Sequence, residues 1–169
     1  LKGHHVGDLE GALTKLEKAG ISKAPASGIE MALWDLIGKK ADLPICRLMG
    51  GLNRTSADFT ACFGLNEPSK SAETAREYVD RWGFRYLKTK AGNDTNEDLR
   101  IAEAVLKEIG EEAYLRPDAN CGYTPEEAEP LLKELSQMGI RYYEDPCSCE
   151  FPEDLARFRS DIDIQILVN

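Results

Sequence analysis

Four polar residues near the ends of successive apolar segments constrain the fold of this chain more than any other feature. They are Lys90, Asp118, Glu144 and Asn169, and successive members of the series lie 25 to 28 residues apart. A strand, a return helix and two turns need about that many residues, so the spacing predicts one functional side chain in each βα unit. Parallel strands place their C-terminal ends along one edge of a sheet. A cation, two carboxylates and an amide should therefore meet at that edge, as in an oxygen-ligand metal site with a neighbouring base.

The order of the segments after Ala57 predicts an α/β fold with a parallel sheet, because short β-rich runs alternate with capped helices. Asp94 with Glu97, and Thr124 with Glu127, have the spacing of helix N-caps. No two of the β-rich runs are joined by a two-residue hairpin turn, which disfavours an antiparallel sheet. The predicted strands are DFTACFG, YLKTKAG, AYLRPDAN, IRYYEDP and IDIQILVN.

The first part of the chain has helical spacing instead. Residues 8–20 form one predicted helix, and SGIEMALWDLIGKK forms a second, with Ser27 as its N-cap. The apolar face of the second helix is expected to be buried. That face consists of Ile29, Leu33, Leu36 and Ile37.

A change of pattern near residue 54 marks the predicted domain boundary. Pro44 and the pair Gly50-Gly51 interrupt the chain before the βα pattern begins, so we expect one domain over 1–54 and another over 55–169. A closed eight-stranded barrel usually needs ~250 residues. The chain has 169 residues and five predicted strands, which are too few for such a closed barrel.

Charge and hydropathy exclude several classes of partner. Asp and Glu outnumber Lys and Arg by 30 to 21, and the net charge of −9 argues against nucleic acid or an anionic membrane as partner. No stretch approaches the ~18 apolar residues of a membrane span, and LKGHHVGDLE lacks the order of a signal peptide, so a cytoplasmic location is expected. The five cysteines are scattered, which favours reduced thiols. Cys147-Ser148-Cys149 lacks the second Cys pair or nearby His that would complete a zinc site.

Lys88 and Lys90 are expected on the same face of the second strand, because side chains alternate along a strand. Two inward ammonium groups in a covered sheet are costly without carboxylate partners. Like charges and partial desolvation both favour the neutral amine, which lowers the pKa of a lysine toward the range of a general base. The alternative is a solvated lysine pair on an edge strand. This alternative is less favoured, because Asp118 and Glu144 occur at the corresponding positions of the next two strands.

The carboxylates have structural alternatives of their own. Arg116, Asp118 and Asn120 share one face of the third strand, although an Asp before a turn is often only a turn cap. Glu144 is expected on the functional face of the fourth strand, and Asp145 on the opposite face. Taken alone, the run E-D-P is equally typical of a surface carboxylate in a turn. The register with Asp118 favours the functional interpretation.

Together these segments resemble the enolase superfamily, on its mandelate racemase and muconate lactonizing enzyme side. SGIEMALWDLIGKKADLPICRLMGG is similar to that family's junction between capping domain and barrel, KTK to its K-x-K on the second barrel strand, and PDAN and YYEDP to its two metal-ligand motifs. The resemblance covers most of the chain. It implies part of a TIM-type (β/α) barrel, preceded by helices from an α+β capping domain. The capping sheet and the last three βα units have no counterpart here, so a fragment of a longer enzyme is expected.

The resemblance also implies a cofactor and its ligands. Mg²⁺ would be bound by Asp118 and Glu144, and by a third ligand at the end of the fifth strand. That ligand is either Asn169 or the residue that follows it. The implied partners are a small-molecule carboxylate substrate and further copies of the chain in a homo-oligomer.

By the same resemblance, Lys90 is the acid/base, Lys88 assists it, and Lys88 and Asn120 bind the substrate. The implied reaction is removal of the proton alpha to a carboxylate through an enediolate. Dehydration of a hydroxy or sugar acid is favoured, because Asn169 and Asp145-Pro146-Cys147 resemble the glucarate dehydratase branch. Racemisation, epimerisation and cycloisomerisation stay open, since the opposite-face catalyst belongs to the part without a counterpart. Outside this family, the chain could be another α/β fold with structural acids or a non-catalytic α/β binding module.

Overall fold

The computed structural model describes residues 1–169, and residues 1–57 form a compact helical unit. Its helices are α1 (Leu9–Lys18), α2 (Lys23–Ala41) and α3 (Ile45–Leu48). α1 begins after Asp8, whose side chain accepts a hydrogen bond from the Gly11 amide, and it buries Ala12 and Leu16. None of the helices in the chain has the length and apolar character that crossing a membrane requires.

The second predicted helix is longer than expected, and its predicted cap is wrong. α2 begins at Lys23, with Ser22 at the N-cap, so Ser27 lies inside the helix. Pro25 falls in the first turn, where a missing N–H costs no intrahelical bond, and it therefore does not delay the start of the helix. The predicted buried face is wrong, because Leu36 is 52% exposed and Ile29, Leu33 and Ile37 are only partly buried.

Residues 58–169 form the second unit, an α/β structure. Its strands are β1 (Thr60–Phe63), β2 (Tyr86–Lys90), β3 (Tyr114–Asp118), β4 (Tyr142–Glu144) and β5 (Gln165–Leu167). The helices between them are α4 (Pro68–Trp82), α5 (Thr95–Ile109), α6 (Pro125–Gln137) and α7 (Pro152–Asp161). All strand pairs are parallel, in the order β1-β2-β3-β4-β5, which confirms the predicted α/β class with a parallel sheet.

Local capping explains where the connecting helices start. The Asp94 carboxylate accepts hydrogen bonds from the amides of Asn96 and Glu97 at the start of α5. Thr124 and Glu127 form a reciprocal capping box at the start of α6. Both caps confirm the sequence prediction, and both lie just after the C-terminal ends of strands, so the loops that leave β2 and β3 are short and defined.

The two faces of the sheet differ. Leu87 and Thr89 of β2 are buried in the core, whereas Lys88 and Lys90, which alternate with them, point to the other face. The core contains side chains from all four helices and from the helix side of the strands, with Leu87, Ile101, Val105, Leu115, Leu132, Tyr143, Phe158 and Ile164 among its most buried members. The face that carries the lysines is the one on which the candidate site lies.

Candidate active site

Strand register places three of the predicted residues side by side at the C-terminal edge of the sheet. Lys90 is the register partner of Asp118, and Asp118 is the register partner of Glu144. Asn169 follows β5, two residues after Leu167, which pairs with Glu144. Because neighbouring strands lie about 4.8 Å apart, side chains in such a row can contact each other directly.

The lysines and the carboxylates of this row form a connected group. Lys88 Nζ lies 2.8 Å from Asp118 Oδ2 and 2.8 Å from Glu144 Oε1. Lys90 Nζ lies 2.7 Å from Asp118 Oδ2 and 2.8 Å from Asn120 Oδ1. β2 lies between β1 and β3, so a solvated lysine pair on an edge strand is excluded.

The contacts decide the protonation of the group. Burial alone raises the pKa of Asp118, but hydrogen bonds from Lys88 and Lys90 outweigh it and hold that pKa below its usual value. Burial likewise raises the pKa of Glu144, and hydrogen bonds from Lys88 and Asn169 bring it below its usual value. Both groups are therefore ionised at neutral pH.

For Lys88 the sequence-based expectation of a lowered pKa is wrong. Desolvation does lower the pKa of its ammonium group, yet the hydrogen bonds to Asp118 and Glu144 outweigh it, and the net shift is upward. The expectation counted the neighbouring ammonium and omitted two carboxylates at 2.8 Å. Lys88 accordingly carries a fixed positive charge in this structure.

Asp145 belongs to the site, although the alternation of side chains predicted the opposite face. Its φ of 44° is left-handed, so the alternation of β4 stops at Glu144 and the Asp145 carboxylate turns back toward the row. Oxygen atoms of Asp118, Glu144 and Asp145 lie within 4.8 Å of one another, and all three residues are buried. The only sequence signal was Pro146, which directly follows Asp145 and indicates that the strand cannot continue there.

Asn169 reaches the same group of carboxylates. Its backbone amide donates to Asp145 Oδ1 at 2.9 Å, and its side-chain Nδ2 donates to Glu144 Oε1 at 2.7 Å and to Asp145 Oδ2 at 3.2 Å. Rotation of the carboxamide by a half-turn exchanges Nδ2 for Oδ1, so the same position can present an oxygen ligand. Asp145 thus fixes where Asn169 lies.

Arg116 supplies a third cation to the group. Its Nε lies 3.1 Å from Glu144 Oε2, on the side away from the strand ends. Beyond it a cavity of about 410 Å³ opens on the same face of the sheet. Tyrosines at the starts of the strands line it, with the remaining wall formed by Thr60, Leu87, Gln165, Ile166 and Leu167.

The donor set fits a hard divalent cation. Asp118, Glu144 and Asp145 supply buried, closely spaced carboxylate oxygens, and Asn169 adds an amide, which are the ligands that Mg²⁺ prefers. Neither a thiol nor an imidazole belongs to this group, so a soft metal is disfavoured. In the metal-free protein three neighbouring cations pair with Asp118 and Glu144, and Asn169 donates hydrogen bonds to Asp145.

The sequence matches families in both parts of the chain. Residues 2–50 match the mandelate racemase/muconate lactonizing enzyme N-terminal domain, and residues 70–169 match the enolase C-terminal domain-like family. The chain is 32% identical over 159 residues to arabinonate dehydratase from Saccharolobus solfataricus, covering 92% of this chain and 42% of that protein. It is 36% identical over 156 residues to D-galactarolactone cycloisomerase from Agrobacterium fabrum, covering 90% and 41%. It is 32% identical over 152 residues to hydrophobic dipeptide epimerase from Enterococcus faecalis, covering 89% and 42%.

Solved structures show the same relationship. A muconate lactonizing enzyme superposes with a TM-score of 0.84 and 27% identity, covering 98% of this chain and 47% of that one. This likeness confirms the predicted fold class, part of a TIM-type (β/α) barrel. The chain spans less than half the length of each of these relatives.

Proposed function

Because the chain belongs to the mandelate racemase/muconate lactonizing enzyme family of the enolase superfamily, we propose that its site binds Mg²⁺ and removes the proton alpha to the carboxylate of a small-molecule substrate. The observation that carries this proposal is the direct contact of Lys88 and Lys90 with the carboxylates of Asp118 and Glu144 at one edge of the sheet. The relatives include a dehydratase, an epimerase and a cycloisomerase, and magnesium dependence is a general trait of the family.

Asp118, Glu144 and Asn169 would hold the magnesium ion. When bound, the ion supplies positive charge that stabilises the negative charge developing on the substrate's carboxyl oxygens in the enediolate. Asp145 keeps Asn169 in place through its backbone amide. Arg116 forms an ion pair with the second carboxylate oxygen of Glu144, Oε2.

Lys90 is the proposed acid/base. It lies at the end of β2, level with Asp118, and its side chain is 36% exposed, whereas Lys88 is 17% exposed. A base must reach the substrate, which favours the more exposed lysine at the mouth of the strand. Lys88, one inward layer deeper, contributes its fixed charge toward the substrate carboxylate. Asn120, already bonded to the Lys90 ammonium, is the further proposed substrate contact.

For the overall reaction we propose dehydration of a hydroxy or sugar acid. Support comes from the 32% identity to arabinonate dehydratase and from Asn169 at the end of β5. Cycloisomerisation is the second candidate, supported by the 36% identity to D-galactarolactone cycloisomerase, and epimerisation is the third. All three begin with removal of the same alpha proton. The non-catalytic binding module is disfavoured, because these relatives are enzymes.

We further propose the assignment of domains. Residues 1–54 would be the C-terminal helical part of a capping domain with its junction, and 55–169 the first half of the (β/α) barrel. The two family matches, over 2–50 and 70–169, support this division. The homo-oligomer and the cytoplasmic location stay predictions.

Magnesium titration by calorimetry tests the metal site. The wild-type protein should bind Mg²⁺, and Asp118→Asn and Glu144→Gln should each abolish binding while retaining the circular dichroism spectrum, since hard dications need charged oxygen donors. Glu103→Gln, which removes an exposed carboxylate of α5, is the matched control and should bind as the wild type does. Wild-type affinity in either site variant would refute the ligand assignment.

A further inference from the structure

Two loops beside the site are packed so closely that neither tolerates a side chain at the contact. They are residues 91–94, after β2, and residues 119–124, after β3. A Cβ on Gly92, whose φ is +103°, would lie 2.3 Å from the Ala119 carbonyl oxygen, and a Cβ on Gly122 would lie 2.3 Å from the Gly92 carbonyl oxygen. Backbone meets backbone here, so movement of one loop must move the other.

One buried carboxylate connects the two loops. Oδ2 of Asp98, in α5, accepts a hydrogen bond from the Gly92 amide at 2.9 Å and another from the Tyr123 hydroxyl. Asp98 and Tyr123 are both buried. No cation shares this pocket, and desolvation raises the pKa of Asp98 above its usual value. The Asp98 carboxylate thus has no cationic partner, and its two hydrogen bonds join the loop after β2 to the loop after β3.

Each loop is close in sequence to a residue of the site: Lys90 directly precedes the first loop, and Asn120 lies within the second. Lys90 comes two residues before Gly92, and Asn120 comes three residues before Tyr123. The side chains of Lys90 and Asn120 meet at 2.8 Å, Nζ to Oδ1. Asn120 has a left-handed φ of 49°, and its backbone amide donates a hydrogen bond to Asp118 Oδ1 at 2.9 Å.

We propose that Asp98 and Tyr123 are positioning residues, which hold the loop after β3 so that Asn120 keeps its hydrogen bond to the Lys90 amine. Neither side chain forms a hydrogen bond or an ion pair with Lys90 or with the proposed metal ligands. They act through the loop after β3, by fixing the position of the Asn120 side chain that accepts the hydrogen bond from Lys90. As a contribution to catalysis this rests on the proposed function, since Lys90 is the proposed base.

The same core contains a matched control. Tyr143 is fully buried in β4, and its hydroxyl has no hydrogen-bond partner. Tyr143→Phe therefore removes the equivalent hydroxyl group from the same core as Tyr123→Phe does, but without breaking a hydrogen bond. A difference between the two variants reports the Asp98–Tyr123 bond and not the loss of a hydroxyl.

The test measures the reactivity of single lysines in the purified protein with limiting acetic anhydride, quantified by mass spectrometry and normalised to the exposed Lys70. In Tyr123→Phe, acetylation of Lys90 should rise about fivefold, the factor that corresponds to loss of one ordinary hydrogen bond. Lys88, held by Asp118 and Glu144, should be unchanged. Tyr143→Phe should leave both lysines at wild-type reactivity. Asp98→Asn, whose amide oxygen still accepts one bond, is the second variant and should give a smaller increase at Lys90.

Titration of magnesium alone separates this proposal from the proposed function. Asp118 is held by the strand ladder, so Tyr123→Phe should bind Mg²⁺ within about threefold of the wild-type affinity. A wild-type protein that binds no magnesium would refute the proposed function, while the labelling result would still decide the positioning role. Unchanged Lys90 reactivity in Tyr123→Phe, or an equal rise at Lys88 and Lys90, would overturn the positioning role.

Discussion

Replacing Lys88 by methionine should destabilise the metal-free protein more than the same replacement of Lys90. Lys88 is the less exposed of the two and bonds both Asp118 and Glu144, whereas Lys90 bonds Asp118 and the neutral Asn120. Breaking a buried ion pair costs about 3–5 kcal/mol when a charge is left uncompensated. Here each carboxylate keeps another cation, which places the loss for Lys88→Met near the lower end, about 3 kcal/mol. For Lys90→Met we expect about 1 kcal/mol, because the ion pair of Lys90 with Asp118 is partly exposed to solvent.

Urea denaturation in the presence of a chelator measures these free energies of unfolding. A loss of about 3 kcal/mol corresponds to a fall in the melting temperature of about 6–12 °C for a chain of this size. Lys70→Met, which removes a surface ion pair with Glu73 in α4, is the control and should show no measurable change. Saturating Mg²⁺ should reduce the difference in free energy of unfolding between Lys88→Met and the wild type. The reasoning is refuted if Lys88→Met unfolds within 1 kcal/mol of the wild type, or if Lys90→Met costs more.

Three further predictions concern the same edge of the sheet. Lys90→Ala should end exchange of the substrate's alpha proton with deuterated solvent from the face that Lys90 serves, followed by NMR, while magnesium binding is retained; exchange at the wild-type rate would show that the base is another residue. Gly92→Ala should cost more than 3 kcal/mol in urea denaturation, since it combines a left-handed φ with a Cβ placed 2.3 Å from a carbonyl oxygen, and a smaller loss would show that the loop can relax. The pKa values of Asp118 and Glu144 are lower in the folded protein than in the unfolded chain, so the stability that these groups contribute is present at neutral pH and is lost as the pH falls through the folded-state values. Urea denaturation at pH 7, 5, 4 and 3 should therefore show that Asp118→Asn loses less free energy of unfolding on acidification than the wild type does. Equal losses in the two proteins would contradict the assignment.

Local signals explain which elements the sequence predicts well. The caps at Asp94 and Thr124 depend on side chains within three residues of the amides they bind, so the spacing alone identifies them. The row of Lys90, Asp118 and Glu144 follows from two regularities, alternation along a strand and the length of a βα unit. Each of these features is determined by short segments and needs no knowledge of tertiary contacts.

The failures involve information that short segments do not contain. Asp145 turns toward the site because its φ is positive, and the letters E-D-P do not specify the sign of that angle. The direction of the Lys88 pKa shift depends on distances to two carboxylates, one of them 56 residues away. Ser27 has the residue type and spacing of an N-cap. Pro25, however, is compatible with the first turn of a helix, and α2 begins earlier, at Lys23.

During synthesis on the ribosome, the sheet can grow in chain order, because every strand pairs with the strand that precedes it. The ion pairs of the site cannot all form as each strand is added, because Glu144, a partner of Lys88, lies 56 residues later in the sequence. A nascent chain in which β2 and β3 have emerged, but β4 has not, already contains Asp118, which pairs with both lysines, but it lacks Glu144, the second partner of Lys88. The face of β2 that carries the lysines must stay hydrated until the later strands emerge, because a charge is costly to bury alone. Emergence of the fourth strand therefore supplies Glu144 and completes the ion pairs that Lys88 and Arg116 form in the folded site.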